Sequence, residues 1–479
     1  MRRVWAGAAA VAALAAAGCG SGGGGGGGSL PEGASIAPSS TPGFVSFNTD
    51  FSSDQWRNFA RLAARFPAVK SSVAILKNFK PFAGKEVDLV WLDLRGSGGD
   101  YVVLTKPNTR AKLREFVHLQ GDLFAQGSVG DWAIASTDGD EIDRFKALAK
   151  SGNKLADDKD FKQAFEQLDS NASVRAWISG QFVQGALDDA LANGGAPPRL
   201  THDVGVLHSI SADAKAESDG ASIEIDGLIE PTPDPATFSP SLPNDIPDGA
   251  LLYVSTKSLD APLRTILRLV GESVPNFNTR RSQVEGVLGL SLENDIYPLL
   301  KGESAIAVYP GTAQIPRVLF LQKVDDEQKA ASLLRRLSAI AQLSGSVKTE
   351  TVQVGGESVQ KLTFTGTPVT IYDGTAKGKL FVTNESSLAE QTITGPTDSL
   401  GDDPLFRSMR DAAGMPGKVA AFAFGDLENG LPYVLRLAQQ AGNVVPPEAF
   451  ANTKPLDGAV VYLVKDGDAL RISGFQTIK

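Results

Sequence analysis

The chain has 479 residues, 42% hydrophobic and 21% charged, a globular composition that excludes wholesale disorder. Its formal net charge of −9 repels phosphate backbones, and the adjacent Arg335 and Arg336 lie in the amphipathic run LLRRLSAIAQL rather than in a basic stripe, so no nucleic-acid partner is expected. One cysteine in the whole chain leaves no disulfide framework, so stability must come from apolar cores.

That cysteine is Cys19, and its surroundings are informative. Arg2 and Arg3 precede an apolar segment from Trp5 to Ala17, the layout of an export signal too short to span a bilayer comfortably. The string LAAAGC, Leu14 to Cys19, resembles the bacterial lipobox, which implies cleavage before Cys19 and acylation of its thiol. Two or more acyl chains would attach the chain durably to a membrane. The expected layout is a signal peptide over 1–18 and a lipidated glycine-rich tether over 19–29. Such a tether of ten flexible residues holds a folded body about 15 to 20 Å from the anchor.

The rest of the chain reads as one design used twice. LADDKDF (Leu155 to Phe161) recurs as LGDDPLF (Leu400 to Phe406), SVRAWISG (Ser173 to Gly180) as KVAAFAFG (Lys418 to Gly425), and SDGASIEIDG (Ser218 to Gly227) as KDGDALRISG (Lys465 to Gly474). In both of the last pair, Asp-Gly is expected to supply the positive φ angles of a tight turn. Upstream, GDWAIAS (130–136) matches GKLFVTN (378–384), GKEVDLVWL (84–92) matches GESAIAVYP (302–310), and GFVSFNTD (43–50) is parallel to LLYVSTKS. Prolines 231, 233, 235, 240, 243 and 247 mark a linker between the copies. The expected domains are a first α+β repeat over 30–230, a Pro-rich linker over 231–247, and a longer second repeat over 248–479.

Within the first copy, Ser53 can cap a helix whose stripe is Trp56, Phe59, Ala63 and Phe66. The counterpart begins at Asp260, with Pro262 in its first turn and Leu263, Ile266, Leu267 and Val270 as the stripe. Both stripes are expected to be core. Strands VDLVWLDL and YVVLT flank the connection containing GSGG. The extra length of the second copy, SVKTETVQV, SVQKLTFTG and PVTIYDG, alternates with period two and predicts added antiparallel strands. The expected class is therefore α+β, a tandem duplication of a mainly antiparallel sheet with helices on one face.

Chemistry-bearing patterns are sparse. His118, His202 and His208 all fall in the first copy, and no HExxH or cysteine-rich spacing points to a metal. Gly96, Gly98 and Gly99 precede a strand, whereas a phosphate loop needs a helix N-terminus there. SGNK (151–154) lies in a polar loop, and DGDEID (138–143) reads as a solvated helix start rather than a calcium loop. No catalytic residue, cofactor or metal ligand is expected, and Cys19 is the one site residue.

LENDIYPLLKGESAIAVY (292–309), preceded by PDGALLYVST (247–256), resembles the bacterial domain-of-unknown-function family 3352. That resemblance implies a fold and an envelope location but carries no activity or site residues. The expected function is thus a noncatalytic lipoprotein outside the cytoplasm, anchored to the cell membrane or outer membrane and binding an envelope protein or apolar ligand. A lipid or small-molecule carrier is the alternative, and a hydrolase is a more remote one.

Overall fold

The computed structural model describes residues 28–69, 80, 83–94, 100–119, 125–193, 205–311, 315–343 and 345–479. Cys19, His202 and the GSGG connection lie outside them. Two compact units are present: Met1–Asp234 with Pro447–Asp457 and Lys465–Lys479, and Pro235–Pro446 with Gly458–Val464. The division falls inside the proline-rich stretch, and the last strand of the second copy belongs to the first unit.

The first copy runs β1 (Gly43–Asn48), α1 (Asp54–Ala63), β2 (Glu86–Asp93), β3 (Asp100–Thr105), α2 (Arg110–Leu119), β4 (Ala125–Val129), β5 (Trp132–Ser136), α3 (Gly139–Ser151), α4 (Lys159–Gln167), β6 (Val174–Ser179), α5 (Gly180–Asn193), β7 (Val206–Ala216) and β8 (Gly220–Glu230). The second runs β9 (Leu252–Lys257), α6 (Asp260–Ser273), α7 (Phe277–Leu288), β10 (Glu303–Tyr309), β11 (Arg317–Lys323), α8 (Glu327–Leu343), β12 (Val347–Val354), β13 (Glu357–Phe364), β14 (Thr370–Ala376), β15 (Lys379–Thr383), α9 (Ser386–Thr394), α10 (Pro404–Ala412), β16 (Ala421–Asp426), α11 (Leu427–Gln440), α12 (Pro447–Thr453), β17 (Leu456–Asp466) and β18 (Ala469–Ile478).

Both sheets are antiparallel. In the first unit the order is β4-β5-β3-β2-β1-β6-β7-β8-β18. In the second it is β12-β13-β14-β15-β11-β10-β9-β16-β17. β1 and β9 occupy the same place, each between the strand that follows it and one much further along the chain. The tandem duplication of an antiparallel α+β design is therefore present in the topology. The added segment forms β12, β13 and β14 where the first copy has β4 among its described residues.

The repeated LxDDxxF motif has a physical explanation. Leu155 and Leu400 are fully buried in short 3-10 turns, and each donates its backbone N–H upstream, to the carbonyls of Ala37 and Ile246. Asp158 caps α4 by accepting from Phe161 N at 2.8 Å, and Asp403 caps α10 by accepting from Leu405 N at 2.7 Å. The cap fixes the helix start, which drops Phe161 or Phe406 into the core. There Phe161 meets Phe44 and Trp177 edge-on, at 5.5 and 5.3 Å between ring centroids. Phe406 meets Tyr253 and Phe424 edge-on, at 6.5 and 5.3 Å. Phe44 pairs with Trp177 across β1 and β6, and Tyr253 with Phe424 across β9 and β16, so the two triads occupy matching register. In the second unit α8 lays Ala330, Leu333 and Leu334 against Leu380, Phe320 and Val382, a further core beside the triad.

The strand register refines two sequence readings. An ungapped match of GKEVDLVWL to GESAIAVYP places Asp88 at the outward-facing Ile306. The register instead puts Val90 with Ala307, opposite Phe44 and Tyr253, and hence Asp88 with Ala305 and Glu86 with Glu303. Lys85 is a one-residue insertion, and ignoring it inverts the faces. The second refinement concerns the Asp-Gly turns. Gly467 has the expected positive φ of 57°, but neither Asp219 nor Gly220 has a positive φ. Gly220 is needed for another reason: a Cβ there would lie 2.2 Å from the Gln476 carbonyl oxygen of β18.

Because each triad phenylalanine is fully buried, Phe161→Ala and Phe406→Ala should each cost about 3 to 5 kcal/mol. Denaturant unfolding of the two variants checks this, and a loss below about 1 kcal/mol at either site would contradict the equivalence.

Candidate functional site

The first unit carries a file of polar side chains across the buried face of its sheet. Across adjacent strands, Asp88 on β2 faces Ser46 on β1, which faces Arg175 on β6, then Asp213 on β7, Glu224 on β8 and Ser473 on β18. Asp88 is 0% exposed and Asp213 2%. At matching register the second unit has Ala305, Ser255, Phe422 and Tyr462. The same fold therefore accepts an uncharged, largely apolar row at these positions, and the charges in the first copy are not demanded by the architecture. A buried ion network is commonly no more stabilising than apolar residues of similar volume.

The electrostatics follow from burial. Desolvation, reinforced by Glu86, holds the Asp88 carboxyl well above the usual range. The Gly33 backbone lies directly over it, since a Cβ at Gly33 would overlap the carboxyl. Arg175, lowered by burial, donates from Nη1 to Ser29 O at 2.6 Å, with its guanidinium 5.3 Å from the centre of the Phe165 ring. Asp213 is pushed up to about 7 by burial although it accepts from Asp169 N at 2.8 Å, and Lys215 bonds Asp169 at 3.2 Å. Burial also raises Glu224 and Asp226. The segment leaving the glycine-rich stretch is thus seated on Arg175, and Gly28 N donates to Glu166 O at 3.4 Å. The tether expected to reach residue 29 is fixed to the fold by Gly28.

In the second unit, Glu303 takes the place of Glu86. It accepts from Ser241 N and Leu242 N, both at 3.0 Å, and from the Ser255 hydroxyl at 3.3 Å, while Glu86 accepts from Gly33 N at 3.1 Å. Each copy thus uses one glutamate to hold the turn preceding its first strand.

The second unit's distinctive surface is apolar. Helices α6, α7 and α11 carry Leu263, Ile266, Leu267, Val270, Val284, Val287, Leu431, Val434 and Leu435, yet none of their described side chains is buried. Ile266 is 56% exposed, Val287 85% and Val434 57%. The sheet adds Leu252 and Val254 on β9 and Ile306 on β10, with Val254 directly opposite Ile306 and all three exposed. Of the α6 stripe expected to be core, Leu263, Leu267 and Val270 are half-buried and Ile266 is exposed, so the stripe is covered only in part. Period-3.6 apolarity reports an amphipathic face without saying what covers it.

His208 lies between Asp160 and Glu230, at 3.3 and 3.2 Å. The backbone of His118 is in α2, and its side chain lies outside the described residues. The DGDEID cluster is a helix start, with Asp138 capping α3 through Asp140 N. Among the described residues no group of three or more His, Cys, Asp or Glu could hold a metal, and no helix is long and apolar enough to cross a membrane.

The fold and its two sites define a tandem-duplicated antiparallel α+β protein. The family described as "Protein of unknown function (DUF3352)" matches residues 130–460, and the chain belongs to that family. Among solved structures, the protein titled "Structure of crystal form IV of TP0453" is 11% identical, with 52% of this chain and 94% of that chain covered at a TM-score of 0.26. "Structure of crystal form III of TP0453" is 7% identical, covering 42% and 80% at 0.25. Scores this low carry no argument. No curated protein matches the chain.

The raised Asp213 gives a pH prediction. Its carboxyl titrates near 7 when folded against an ordinary value of 3.8, so the folded state binds the extra proton between those values. The resulting stability is fully present below about pH 4 and is lost as pH rises through about 7. Asp213→Asn should therefore flatten the fall in melting temperature between about pH 5 and pH 8. An unchanged slope would remove Asp213 as its source.

Proposed function

We propose that this is a lipid-anchored envelope protein, held outside the cytoplasm through Cys19, that acts by binding rather than catalysis. The observation supporting a binding role is the set of apolar side chains that α6, α7 and α11 leave exposed, Ile266, Val284, Val287 and Val434. Leu, Ile and Val at helical spacing forgo roughly 1.5 to 3 kcal/mol each when left in water rather than buried. Exposed apolar side chains in such number on the helices of one unit suit an interaction surface. The occupant we infer is an apolar surface of an envelope partner, since the lipobox resemblance delivers the chain to that compartment. A lipid-carrier reading is favoured by one further feature, the outward Leu252, Val254 and Ile306 on adjacent strands, which suit acyl chains.

Two measurements test this reading. Photoreactive residues at Ile266 and Val434, expressed in native envelopes, should give protein adducts well above those from an exposed control such as Glu357. Lipid adducts instead would favour the carrier, and adducts no greater than the control would sink both. Separately, Cys19→Ser should release the exported body from membranes or leave uncleaved precursor. A processed mutant that stays membrane-bound would refute the anchor.

A further inference from the structure

In each copy the segment entering the first strand lies on the sheet as a strap, and the two copies seat it differently. Gly33 and Leu242 are equivalent, because each donates its backbone N–H to the matching glutamate, Glu86 or Glu303. Ala37 and Ile246 are equivalent, because each accepts from the leucine of the repeated motif. In the second copy the strap supplies the bulk: Leu242 is 0% exposed, and Ala305 stands at the place of Asp88. The first copy reverses this, with a bare glycine over a carboxyl, so that a Cβ on Gly33 would lie 1.9 Å from Asp88 Oδ2. Gly33 has no positive φ, so its backbone does not itself call for glycine. An apolar joint is thus replaced by one that seats an ionisable group.

That group is poorly provided for while the strap is down. Asp88 is fully buried, and neither of its carboxyl oxygens accepts a hydrogen bond. Glu86, two residues along the same strand, adds a like charge. Arg175 of β6 lies beyond Ser46 of β1, is bonded to Ser29 O, and has Asp213 of β7 on its far side. Across β3 stands the apolar Leu104. The strap brings Glu32, paired with Lys106, and the turn bound to its end brings Lys154, committed to Ala149 O, and the exposed Asp157. None of these cations donates to the Asp88 carboxyl. A carboxylate ionised there favours any arrangement that admits water.

We propose that residues 28–36 form a releasable strap, hinged at Ala37, that lifts from the sheet when Asp88 ionises, whereas the counterpart over 237–245 stays closed. Ala37 O accepts from Leu155 N at 2.9 Å and Ser39 N donates to Asn153 O at 3.0 Å, which fixes the hinge. On the lipid-anchor reading, release adds residues 28–36 to the tether and lengthens its reach from about 15 to 18 Å to about 21 to 25 Å.

Burial raises the Asp88 carboxyl, so the closed state holds the extra proton. Closure is therefore fully stable below the ordinary value of 3.8 and weakens as pH rises through the closed-state value. Hydrogen exchange of the full chain in detergent tests this, read as protection factors so that the intrinsic pH dependence of exchange drops out. The Gly33, Ala34 and Ile36 amides, all hydrogen-bonded in the closed strap, should lose protection by up to about tenfold per pH unit above about pH 4. The 239–246 stretch should stay flat. Asp88→Asn, which cannot ionise, should abolish the dependence, and G33L/D88A, which installs the second copy's pair, should do the same. If G33L/D88A does not fold, D88N carries the test alone. Wild-type strap protection that does not change with pH, a D88N slope as steep as wild type, or strap protection lost only together with that of β2 and β6 would each overturn the proposal. The readout does not involve Cys19, so failure of the strap and failure of the anchor are separable.

Discussion

The edge-to-face contact between one core phenylalanine and its two sheet neighbours is the constraint from which the rest of each repeat follows. Phe161 and Phe406 reach the sheet only because an aspartate caps their helices one turn earlier and a buried leucine pins the preceding 3-10 turn. That turn is in turn bonded to the segment that enters the first strand, through Leu155 N to Ala37 O and Leu400 N to Ile246 O. Helix start, strand entry and central strand pair are therefore fixed relative to one another by a handful of contacts. Aromatic pairs in this geometry contribute about 0.5 to 1.5 kcal/mol beyond their burial, and their directional preference selects the register as well as the depth.

Around this shared frame the copies have diverged in opposite directions. The first keeps Asp88, Arg175 and Asp213 where the second has Ala305, Phe422 and Tyr462, and it seats the chain leaving the glycine-rich stretch on Arg175. The second puts its polar investment at the strand entry, around Glu303, and leaves apolar side chains of three helices exposed, among them Ile266, Val287 and Val434. A fold that accepts either filling has sequence freedom to spare, so differences between equivalent positions are better guides to role than features the copies share. Shared features, such as the capped phenylalanine and the glutamate-held turn, are explained by folding alone.

Much of the architecture was legible because its signals are local. The cap at Ser53, the alternation in β12 to β14, and the recurrence of LxDDxxF each depend on residues within a few positions of one another. What the sequence concealed depends on contacts far along the chain. The need for glycine at 220 arises from Gln476, and the true counterpart of Asp88 emerges only once the cross-strand register is known. The partly exposed face of α6 had the same periodicity as a buried one. The charged file also escaped notice, because its members sit on six different strands and only the cross-strand register brings them into one row.

The C-terminal strand shows how such distant relations can carry specificity. A duplicated chain contains two versions of every edge, and identical versions would leave intrachain and interchain pairing nearly equal in contact energy. Intrachain pairing then gains only from the high effective concentration of a tethered partner, an advantage that erodes as protein concentration rises. Setting Arg471 of β18 opposite Asp226 of β8 adds a term independent of concentration. Such a term is worth most where the acid is fully buried, as Asp226 is, because an unpaired buried carboxylate is costly and a bidentate guanidinium supplies both of its hydrogen bonds.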